Sequence, residues 1–82
     1  MIIVTQSKKK AYDTRNLNNL VYTEVLPVGK EFGVELSGED IIATYPTAEM
    51  AETAMSYVIR AEADGSKLFV MPTESEVWED LE

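Results

Sequence analysis

Histidine and cysteine are both missing from this chain of 82 residues. Histidine is the usual general base near neutral pH and the commonest metal ligand. Cysteine supplies thiolate nucleophiles, disulfides and closed zinc sites. Their absence excludes histidine-dependent triads, Cys/His zinc motifs and any disulfide framework. The glycines, Gly29, Gly33, Gly38 and Gly65, are scattered and make no phosphate-cradling loop. Serines such as Ser7, Ser56 and Ser66 have no histidine to activate them. Paired Asp/Glu side chains are the acid–base groups that remain, and no spacing gathers a pair into a pocket. The chain therefore reads as a protein that is not an enzyme and carries no cofactor and no metal. It also lacks an apolar run near the roughly 20 residues of a membrane helix. Its opening, Met1-Ile2-Ile3-Val4-Thr5, has neither the basic lead nor the long apolar stretch of a signal peptide. A cytoplasmic protein is expected.

What is present is enough for one folded domain. Hydrophobic residues make up 45% of the chain, typical of an ordinary globule and too many for a disordered acidic segment. The net charge of −8 is unevenly spread. Residues 1–30 set Lys8, Lys9, Lys10, Arg15 and Lys30 against Asp13 and Glu24, a balance of +3. Residues 31–82 set Arg60 and Lys67 against thirteen carboxylates, a balance of −11. A negative field repels nucleic acid and anionic membranes at long range, so nucleic acid is a disfavoured partner and membrane is not expected. The opposed balances would let two copies attract each other across a symmetric pair.

Patterning along the chain predicts an α+β fold. Ile2–Thr5 reads as a strand buried on both faces, and Lys10–Asp13 as its return, making a hairpin. Thr14–Asn19 is rich in turn formers, with Leu17 pinned into the core. Leu20–Leu26 reads as a third strand, and Pro27-Val28-Gly29 as the turn after it. Phe32, Val34 and Leu36 alternate inward against Glu31, Gly33 and Glu35. Ser37-Gly38-Glu39 is the next turn, and Asp40–Tyr45 the fifth strand. Turns so closely spaced leave no room for crossovers, so these strands form an antiparallel meander.

Pro46 stops that strand, and Thr47 is placed to cap a helix over Ala48–Ala63. Met50, Ala51, Ala54, Met55, Val58 and Ala61 form its apolar stripe, and Asp64-Gly65 ends it. Leu68–Met71 is apolar at every position, which predicts a final strand inside the sheet and covered on both faces. The expected architecture is thus an antiparallel sheet of five to six strands with one amphipathic helix on one face. Residues 1–72 make this domain, and 73–82 an acidic tail or short helix. The tail carries a Thr73-x-x-Glu76 capping box, with Val77, Trp78 and Leu81 on one face. Its closing Leu81-Glu82 matches what a common cloning junction leaves ahead of a purification tag.

Two groups of residues are candidates for binding. Trp78, the single tryptophan, with Val77 beside it, reads as an anchor for a partner protein, since tryptophan is enriched at binding hot spots. Lys8, Lys9, Lys10 and Arg15, with Tyr12 for stacking, read as a phosphate-contacting corner. Glu74, Glu76, Glu79 and Asp80 lack calcium-loop spacing and read as a solvated face.

Ile2-Ile3-Val4-Thr5-Gln6 ahead of lysines, the Asn-rich stretch before Leu20, Tyr45-x-Thr47 and Phe69-Val70-Met71-Pro72 together carry a resemblance. With these pieces the chain resembles a loose group of small proteins of Gram-positive bacteria and their phages that have no assigned activity. The resemblance implies a compact α+β protein, prophage-encoded and cofactor-free, and transfers no functional residue. The expected role is a small protein-interaction or regulatory module. The alternative is a nucleic-acid-related protein, either a weak single-strand binder through its basic corner or an acidic mimic of nucleic acid.

Overall fold

The elements follow one another as β1 (Ile2–Val4), β2 (Ala11–Asp13), β3 (Thr23–Val28), β4 (Glu31–Leu36), β5 (Asp40–Tyr45), α1 (Ala48–Ala63), β6 (Leu68–Val70) and α2 (Glu74–Leu81). The structure, a computed structural model, describes residues 1–14, 23–36 and 40–81. The readings placed on Arg15, Leu17, Leu20–Tyr22 and Ser37-Gly38-Glu39 lie outside these residues. The α+β class holds, but the strands divide. One sheet has the order β2-β1-β6 and the other β3-β4-β5, in place of a single sheet of five or six strands.

The β3-β4-β5 sheet is the antiparallel meander expected from its short turns. Its first turn lies later than Pro27-Val28-Gly29. Both Pro27 and Val28 stay in β3, and Val28 pairs with Glu31 across a loop of Gly29 and Lys30. Gly29 takes φ 61°, the positive value a two-residue hairpin turn of this kind requires at its first position. Pro27 is tolerated because β3 is an edge strand. Pairing of β4 with β5 slips by one residue between Val34 and Glu35. The slip makes Ile42 an extra residue, and both Ile42 and Ala43 turn into the core.

Helix α1 lies on this sheet, against β3, β4 and β5. It starts where Thr47 Oγ1 accepts from Met50 N at 3.2 Å. It ends in a Schellman turn: Ser66 N donates to Ala61 O and Gly65 N to Glu62 O, with Gly65 at φ 74°. Met50, Ala51, Ala54 and Val58 are its buried residues, as the stripe predicted. Together with Ile3, Val34, Leu36, Ile42, Ala43, Tyr45, Met71 and Val77 they form the core among the described residues.

The other sheet is mixed. β1 pairs antiparallel with β2 and parallel with β6. The final strand is therefore not enclosed. It is an edge, three residues long, with Leu68 and Val70 exposed. Four apolar residues in a row look the same whether one face or two are covered; here α1 lies against the other sheet and leaves the outer side of β6 open. Ile2, expected inside, is also exposed for the same reason.

Gln6 and the Tyr12–Asp40 pair join the two sheets. Gln6 N donates to Ile42 O at 2.9 Å, and its side chain makes two bonds to Thr44, Nε2 to O and Oε1 from N, each at 3.0 Å. One glutamine thus acts as a short length of strand on the edge of β5. The Tyr12 hydroxyl on β2 donates to Asp40 on β5.

The acidic tail is an ordered helix. Its capping box closes in both directions, Glu76 N to Thr73 Oγ1 at 3.3 Å and Thr73 N to Glu76 Oε1 at 3.0 Å. Val77 is fully buried and α2 packs on α1. The Tyr57 hydroxyl donates to Asp80 at 2.5 Å, and Tyr45 OH to Pro72 O at 2.7 Å. These bonds offset the unfavourable carboxylates near the helix C-terminus.

Candidate functional site

The outer face of the β2-β1-β6 sheet carries Ile2, Leu68 and Val70, three of the six exposed large hydrophobic residues among the described residues. Side chains alternate across a strand, so Ile3 and Phe69 turn toward the core while their neighbours turn out. The parallel register sets Ile2 beside Leu68 and Val4 beside Val70. Ile2 is 39% exposed, Leu68 58% and Val70 44%. Single exposed apolar residues are ordinary, whereas a contiguous apolar patch is a candidate interaction surface.

The backbone of β6 is open beside this patch. Lys67 O accepts from Ile2 N, and Met71 N donates to Val4 O, each at 2.9 Å. Both bonds reach toward β1. Successive residues of a strand point their N–H and C=O to opposite sides, so those of Leu68 and Val70 point away from β1. Among the described residues no strand pairs with that side. Next to it runs a groove of about 350 Å³ lined by Tyr57, Phe69, Val70, Glu76, Glu79 and Asp80. Carboxylates from α2 therefore flank the open edge.

The residues singled out in the sequence fall elsewhere. Val77 is a core anchor, not a partner contact, because the face of α2 that carries it docks on α1. Trp78, one residue on, is 55% exposed. It lines a different groove, beside Pro46, Thr47 and Met50, and Glu79 borders both. The lysines sit in the β1–β2 turn, where Lys10 Nζ is 3.5 Å from Asp40 and Lys8 is close enough to Glu76 to lower its pKa. Lys10 is thus directed at a carboxylate of the chain itself. Leu68, Val70 and Gln6 escaped the sequence reading. The usable signal was Lys67 and Pro72 bracketing so short a run, since lysine and proline are residues that blunt sheet edges.

Tyr12 and then Lys10 hold the Asp40 carboxyl below its usual 3.8. The Thr73 backbone N–H does the same for Glu76. A depressed folded pKa contributes stability that is present above the unfolded value and lost as pH falls through the folded one. Acid destabilisation is therefore expected below about pH 4. Asp40→Asn should flatten that limb of a melting-temperature profile; an unchanged slope would remove Asp40 from the account. Among the described residues, no helix is long and apolar enough to cross a membrane, and no group of three or more acids is placed to hold a metal ion. No family model, curated protein or solved structure matches the chain.

Proposed function

We propose that this protein is a non-catalytic protein-interaction module, working in the cytoplasm through the outer face and open edge of the β2-β1-β6 sheet. The observation that carries this reading is the adjacency of Ile2 on β1 to Leu68 and Val70 on β6, all exposed, where among the described residues no strand lies on the outer side of β6. Such an edge is a template for pairing with another chain. Supporting it, the chain has no cysteine or histidine to build the commoner reactive centres. A direct nucleic-acid role draws less support, because Lys8 and Lys10 face Glu76 and Asp40.

The test is retention of proteins from a cell lysate by the immobilised domain and by a Leu68→Lys/Val70→Lys variant. Both positions are well exposed, so the variant should lose no more than about 1 kcal/mol of stability. It is expected to fold and to lose the specifically retained proteins. Identical retention by both forms, with melting unchanged, would remove this face from the function.

A further inference from the structure

Resting on that reading, we infer that the open edge of β6 takes an extended segment of another protein as a fourth strand, a segment that alternates aliphatic and basic side chains. Strand addition uses the main chain for affinity and alternate side chains for selection. The main-chain donors and acceptors are those of Leu68 and Val70, the two residues turned away from β1.

The two faces of the added strand would meet different surroundings. On the outer face its side chains lie beside Leu68 and Val70, which are apolar and exposed. On the inner face, the side of Phe69, they enter the groove lined by Glu76, Glu79 and Asp80, where Asp80 already accepts from the Tyr57 hydroxyl. No basic residue occupies the last turn of α2. Lys8 acts on Glu76 and Arg60 on Tyr57, and Lys67 precedes Leu68 in the chain. Alternating aliphatic and basic side chains match these two faces, with the basic ones answering the α2 carboxylates.

Charge decides between this occupant and a second copy of the chain. Pairing β6 with itself would bring two acidic α2 helices to one joint, between chains that each carry −8. Like charges brought together in this way suppress the wrong partner.

The experiment uses the intact protein and two short synthetic peptides, one alternating valine with lysine and the other valine with glutamate. Binding is followed by amide hydrogen exchange and by titration calorimetry. The Val/Lys peptide is expected to slow exchange at Leu68 and Val70 and to bind at least about tenfold more tightly than the Val/Glu peptide. Added salt and Glu79→Lys should each weaken it, whereas Trp78→Phe should leave it unchanged. Equal affinity for the two peptides would overturn the inference. So would protection around Trp78 in place of β6, or a dimer by sedimentation whose β6 amides are protected without peptide. If neither peptide protects β6 while Leu68→Lys/Val70→Lys still abolishes lysate retention, the strand inference fails and the interaction reading stands.

Discussion

Tyr45→Ala is expected to cost about 3–5 kcal/mol, the range for truncating a fully buried aromatic, plus the bond to Pro72. A domain of this size has stability on the order of 5–10 kcal/mol, so much of it would go. Tyr45 is 0% exposed and ends β5 where it pairs with Phe32. Its ring belongs to the core over which α1 packs, and its hydroxyl reaches the carbonyl of Pro72, just before the α2 cap. One residue thus secures the main core and the C-terminal helix. Tyr45→Phe separates the two roles. It keeps the ring, removes the hydroxyl and should cost about 1 kcal/mol, with faster amide exchange confined to α2. Thermal unfolding and hydrogen exchange on both variants test this; equal losses would mean the ring contributes nothing beyond the hydrogen bond. Burial also holds the Tyr45 hydroxyl well above its ordinary pKa. A raised folded value keeps its contribution through neutral pH and loses it only in strong alkali.

Gln6→Ala is expected to cost about 1–3 kcal/mol, from two side-chain bonds at roughly 1 kcal/mol each and the strand edge left open behind them. For a chain this short, each kcal/mol lowers the melting temperature by about 4–8 °C. Gln6→Glu discriminates further. The carboxylate still accepts from Thr44 N but presents an anionic oxygen where Nε2 donated to Thr44 O. Its deficit should exceed that of a single lost bond at neutral pH. It should narrow below about pH 4.5, as the protonated carboxyl regains a donor. The Gln6→Ala deficit should stay constant over the same range. Melting profiles of the three proteins against pH check this, and parallel profiles for both variants would show that the amide donor has no role in joining the sheets.

Local patterning made the helices and the meander legible. The stripe Met50, Ala51, Ala54, Val58, the Thr47 cap and the Gly65 stop each depend on neighbours within a few residues. So does the Thr73–Glu76 box that orders the tail. The candidate site was not legible. Leu68-Phe69-Val70-Met71 has no alternation, so its pattern carries no record of which side is covered. Trp78 and Val77 looked equivalent on a helical face, yet packing on α1 buried one and left the other out.

The amino-acid order alone determined where α1 starts and stops, where a cap for α2 lies, which strands fold back on their neighbours, and which reactive side chains the protein would lack. Those are short-range matters of backbone preference, capping and composition. Only the tertiary structure decided that the strands form two sheets, that Gln6 joins them, and that β6 pairs parallel with β1 and faces outward. Each of these depends on residues 36 or more positions apart being brought together. The free energy of those contacts comes from burying one shared core, and a linear pattern does not specify which surfaces that core leaves uncovered.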